Sequence, residues 1–112
     1  MKLTIPNIVR EIRLSEFAPE FGEAKIYVWA NPTRELRLSL IGLKLESTEE
    51  EMARIFSELW SAGPEGTQIT PDEVLELSQS CLETTPALWE WIVVKTGEIL
   101  REHWVSKKKV TP

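Results

Sequence analysis

What this chain lacks narrows its chemistry before any motif is considered. It has one cysteine, Cys81, and one histidine, His103. A lone cysteine closes no intrachain disulfide and gives zinc no set of thiolates, which points to a reducing, cytoplasmic setting. Glycine is scarce, five in 112 residues. The stretch AGPEGTQITPDE, residues 62–73, holds Gly63 and Gly66 but no phosphate-loop or dinucleotide pattern, so it reads as a connector. No apolar run is long enough to span a bilayer. The opening MKLTIPNIVREI is broken by Pro6, Asn7, Arg10 and Glu11 before it reaches the length of a signal peptide, and the expectation is a soluble protein. Positive charge is also in short supply: 13 Lys and Arg stand against 18 Asp and Glu, a net charge of −5 that repels phosphate backbones. Nucleic-acid binding would need a segregated basic face, and the one basic cluster, Lys107-Lys108-Lys109, reads as a solvated tail.

What is present suits a single domain of 112 residues: a β-hairpin over 1–30, a helical bundle over 31–106 and a basic tail over 107–112. In NIVREIRLS (residues 7–15), Ile8, Ile12 and Leu14 recur at even spacing with Arg10 among them. In AKIYVWA (residues 24–30), Ile26, Val28 and Ala30 alternate with Tyr27 and Trp29. Both are strand patterns, and the connecting stretch SEFAPEFGEA, residues 15–24, carries Pro19 and Gly22, so they pair as an antiparallel hairpin with a long loop. Residues 32–45 fit two descriptions. Asn31 as N-cap with Pro32 at the first helical position starts a helix carrying Leu36, Leu40 and Leu43; an alternating strand through Leu36, Leu38 and Leu40, bulged at Gly42, is the other reading. Helix is favoured, because leucine and arginine are better helix formers than strand formers.

Two further helices announce themselves. STEEEMARIFSELWSAG offers Ser47 with Glu50, or Thr48 with Glu51, at capping-box spacing and stops at Gly63-Pro64; Thr70, Pro71 and Glu73 open ITPDEVLELSQSCLE in the same way. Cys81 falls in the apolar stripe of the latter and reads as a small buried hydrophobe. Thr85-Pro86 begins the last helix. Advancing about 100° per residue, one arc gathers Leu88, Trp89, Ile92, Val93, Thr96, Ile99, Leu100, His103 and Trp104 as the core side. Trp91 falls opposite with Val94, among Glu90, Lys95, Glu98 and Arg101. It is either covered by another part of the chain or part of a contact surface, and only the second reading expects its truncation to spare stability. Tyr27 and Trp29 pose the same choice on the outer face of the hairpin, between cover by the N-terminal arm and exposure to a partner.

Reactive constellations are missing. The single histidine sits mid-arc with no base or ligand partner at suitable spacing, and the carboxylates of STEEE lie in a helical first turn, where they complement the macrodipole. The expectation is a non-enzyme with no cofactor and no catalytic or metal-binding residues. Trp91, Val94, Tyr27 and Trp29 are its candidate partner-binding side chains.

The run FAPEFGEAKIYVWANPTREL, an acidic helical middle and the tail ITPDEVLELSQSCLETTPALWEWIVVKTGEILREHW together resemble small proteins of siphophage and prophage tail modules, and are similar in plan to tail assembly chaperones. The likeness spans most of the chain without a signature motif. It implies a non-enzymatic cytoplasmic protein that holds the tape-measure protein and helps recruit tail-tube subunits. The alternative is a small regulatory or adaptor module, antitoxin-like or transcription-associated. A dispersed carboxylate enzyme is a third possibility.

Overall fold

The computed structural model describes residues 4–43, 47–61 and 68–104, without the side chains of His103 and Trp104. The fold is α+β: an N-terminal two-stranded antiparallel hairpin followed by four helices. Strand β1 is Val9–Arg13 and β2 is Lys25–Trp29, in the register Val9↔Trp29, Glu11↔Tyr27 and Ile12↔Ile26. Their connection folds into two short 3-10 turns, Leu14–Glu16 and Pro19–Phe21. It closes at Gly22, whose φ of 60° is open to a residue without a Cβ. Because opposed residues of a ladder share a face, Ile12, Ile26 and Val28 point one way together with Leu14. Ile12, Leu14 and Val28 are buried against the helices, and α4, Pro86–Trp104, packs across both strands.

Helix α1 is Arg34–Ile41, so the helical reading of residues 32–45 holds over its described centre; residues 44–46 lie outside the described residues. Its start differs from the sequence expectation. The N-cap is Thr33, whose hydroxyl accepts the Leu36 N–H at 3.2 Å. Asn31 does something else. Its carboxamide oxygen accepts the Ile8 N–H at 2.6 Å and its amide nitrogen donates to the Pro6 carbonyl at 2.9 Å, which clips the chain entering β1 to the chain leaving β2. Asparagine is a somewhat better cap than threonine, yet here it is held by its long-range partners and the cap falls two places on, at Thr33. Gly42 ends α1 as its C-cap and marks no bulge.

Helices α2, Glu49–Leu59, and α3, Pro71–Thr84, both begin with complete capping boxes, Thr48 with Glu51 and Thr70 with Glu73. Each box pairs two N–H groups that a helix end otherwise leaves unpaired. The predicted stop at Gly63-Pro64 lies outside the described residues, as does the basic tail. The Ser61 hydroxyl accepts the Ile69 N–H at 3.3 Å, tying the approach to α3 to the end of α2. The core lies where α2, α3 and α4 meet the inner face of the hairpin: Ala53, Ile55, Phe56, Leu59, Trp60, Val74, Cys81, Leu88, Ile92 and Leu100 are buried there. The arc read from the last helix matches this, with Leu88, Ile92, Thr96 and Leu100 buried and Trp89, Val93 and Ile99 half-buried. His103 and Trp104 end α4, and their place on the arc lies outside the described side chains.

Candidate functional site

The aromatic side chains separate into an inner and an outer group. At the α2–α4 seam, Phe56, Trp60 and Trp89 contact one another with centroids 5.0 to 6.2 Å apart, in tilted and edge-on geometries that suit the ring quadrupoles. Trp60 is 1% exposed, and its indole N–H donates to the Thr96 hydroxyl at 3.3 Å, which in turn donates to the Ile92 carbonyl at 2.9 Å. Every polar atom in that chain has a partner. Its burial and satisfaction mark it as structural packing.

The outer group lies where α4 meets the hairpin loop. Trp91 does fall on the side of α4 away from the arc, but the loop comes to it: the Phe17 ring stacks at 5.6 Å, tilted by 55°, and Phe17 also meets Phe21 at 6.3 Å. Lys95, one turn along α4, holds its ammonium 5.7 Å from the Trp91 ring. Trp91 is therefore half-buried by its own chain. Val94 is different, 52% exposed with no such cover. Structure thus separates the pair that the helical wheel put together.

On the hairpin, Tyr27 and Trp29 share the face away from Ile12 and Val28, as the alternation required. Both are half-buried, and Trp29 packs against the core. Its indole nitrogen is buried with no hydrogen-bond partner, a cost of about 1–3 kcal/mol. Tyr27 carries Lys25 over its ring at 5.8 Å. Beside it Glu11 bridges Arg13 at 3.2 Å and Lys25 at 3.6 Å, an exposed set of ion pairs of the kind that contributes little to stability.

Two exposed aliphatic side chains lie side by side elsewhere, while Leu82 on α3, exposed to the same degree as Leu38, stands apart from them. On α1, Leu36 is buried and Leu40 half-buried, which leaves Leu38 and Ile41 outward at 54% and 64% exposure. With Arg34 and Arg37 they line a shallow groove of about 210 Å³. Positions 34, 37, 38 and 41 are neighbours on one side of a helix. The sequence reading did not select Leu38 or Ile41, although the signal was available: once Leu36, Leu40 and Leu43 were assigned inward, these two aliphatics remained on the other side.

Among the described residues no group of three or more His, Cys, Asp or Glu is placed to hold a metal ion. Cys81 is buried, and burial pushes its thiol pKa up, which suppresses the thiolate a nucleophile or ligand would need. No described helix is long and apolar enough to cross a membrane. Compared with protein-family models, curated proteins and solved structures, the chain matches none of them.

Proposed function

We propose that this chain is a non-enzymatic, cytoplasmic protein-interaction protein that holds a helical partner, acting as a tail assembly chaperone toward a tape-measure or tail-tube protein. The observation that carries the binding part of this reading is the outer side of α1, where Leu38 and Ile41 stand in solvent beside Arg34 and Arg37. An amphipathic helix binds by setting aliphatic residues at i and i+3 or i+4 into such a shallow apolar strip. Arg34 selects its chemistry, because a carboxylate at the edge of the partner's apolar face pairs with a guanidinium group and steers the approach. Val94 is a second exposed aliphatic contact, whereas Trp91, held under Phe17 and Lys95, supports its surroundings from below the surface. The kind of partner comes from the sequence resemblance. The fit of surface to task comes from α1.

Co-expression with a tape-measure fragment tests both parts. The wild type is expected to retain the fragment through affinity purification, and the double variant Leu38→Glu, Ile41→Glu to lose it by at least tenfold. The same variant should melt within about 0.5 kcal/mol of wild type, the usual range for surface substitutions. Retention by the variant would remove α1 from the reading, and failure of the wild type to capture the fragment would remove the proposed partner.

A further inference from the structure

The connection between the strands, residues 14–24, is bonded to itself and to little else. Its mouth is closed by the Leu14 N–H, which donates to the Ala24 carbonyl at 3.0 Å. Inside, the Phe17 and Ala18 N–H groups donate to the Leu14 carbonyl, Phe21 to Ala18, Gly22 to Pro19 and Ala24 to Phe21, all at 3.0 to 3.1 Å. The Phe17 and Phe21 rings meet at 6.3 Å and give the loop a small apolar centre of its own. Ends held close and a filling made of the loop's own side chains define an Ω-loop. No residue from 15 to 24 makes a hydrogen bond or ion pair to a described residue outside residues 14–24.

What ties the loop to the body is apolar contact: Phe17 on Trp91 at 5.6 Å, with Phe17 and Phe21 half-buried against the core. None of residues 15–24 is fully buried, whereas Leu14 is held in the hairpin's inner face. Such a segment can come away without stranding a donor or an acceptor. Its base is open: a hollow of about 270 Å³ there is lined only by Arg13, Ser15, Gly22, Glu23, Ala24 and Lys25, all of them loop or strand-end residues. We propose that residues 15–23 are a flap that leaves α4 as one piece, pivoting at the Leu14–Ala24 bond with its turns intact, and that Phe17 is the latch. Uncovering Trp91 by unravelling the loop instead would break its five internal bonds, so undocking is the easier route. Undocking bares the Trp91 ring. Trp91 and Val94 are neighbours on one side of α4, and Val94 is already 52% exposed. The flap therefore sets whether this side of α4 shows one aliphatic residue or a joined apolar strip.

Fluorine NMR of the chain labelled with 5-fluorotryptophan tests this, with the Trp91 and Trp60 lines assigned from single Trp→Phe variants. In the wild type, saturation transfer is expected to show the Trp91 line exchanging with a minor state of about 0.1–10%, the range for states a few kcal/mol apart. The Trp60 line should show no such exchange. Phe17→Ala is expected to raise the minor population by about tenfold, from the lost ring contact and burial. It should also give Trp91 the solvent isotope shift of an exposed indole, while the backbone carbon shifts of residues 18–24 keep their wild-type pattern. Four results would overturn the proposal: no minor state for Trp91 in the wild type, a Trp91 line that Phe17→Ala leaves unmoved, backbone shifts showing an unravelled loop once Trp91 is exposed, or a Trp60 line that exchanges at the same rate as Trp91. Should Phe17→Ala fail to fold, the wild-type exchange of the two tryptophan lines decides alone.

Discussion

Trp60, sealed between α2 and α4, and Trp91, on the outer side of α4, are the same side chain held under two regimes. Around Trp60 the packing is closed and its one polar atom is satisfied through Thr96, which is itself 1% exposed. Around Trp91 the cover is a loop ring and a lysine, neither bonded to the indole nitrogen, and the residue stays half-buried. The contrast shows where this fold is rigid and where it is adaptable. Helix packing fixes the inner cluster, because displacing Trp60 would strand an N–H in an apolar interior. The outer cluster depends on two 3-10 turns keeping Phe17 in place, and opening them costs far less.

The largest effect that would break this comparison lies at Trp60. Trp60→Ala is expected to cost about 3–5 kcal/mol in urea unfolding, as for other large-to-small core changes. Trp91→Ala should cost about 1–2 kcal/mol, the value of partial apolar burial; equal losses would erase the distinction. Thr96→Val sharpens it at a smaller scale. Keeping the volume while deleting the acceptor of the Trp60 N–H should cost about 1–3 kcal/mol, and a neutral result would mean that the indole has another partner. Smallest is the coupling of Phe17 to Trp91. A double-alanine cycle should return about 0.5–1.5 kcal/mol, the range for aromatic pairs, and zero coupling would mean that the loop does not hold Trp91 in solution.

How much of this was legible beforehand depended on whether each signal was local. Thr70 with Glu73 was readable because a capping box spans only four residues, whereas the structure chose Thr48 with Glu51 over Ser47 with Glu50. The arc of α4 was readable because helical rotation is fixed by the backbone. Asn31 was misread because its partners, Ile8 and Pro6, lie more than twenty residues away. Trp91 was left open for the same reason: the wheel placed it outside, and only the return of Phe17 from the hairpin loop decided what covers it. On α1 the helical spacing places Leu36 and Leu40 inward as expected, and it leaves Leu38 and Ile41 on the exposed side.

The amino-acid order by itself determined the α+β class, the two strands, the helix start at Thr70, the buried side of α4 and the burial of Cys81, since periodicity and capping act through neighbours along the chain. Tertiary structure alone decided that Asn31 would clip the ends of the hairpin, that Thr96 would receive the Trp60 N–H and that Phe17 would cover Trp91. Those outcomes depend on which distant surfaces meet, and pairing between distant segments is settled by packing the whole chain at once.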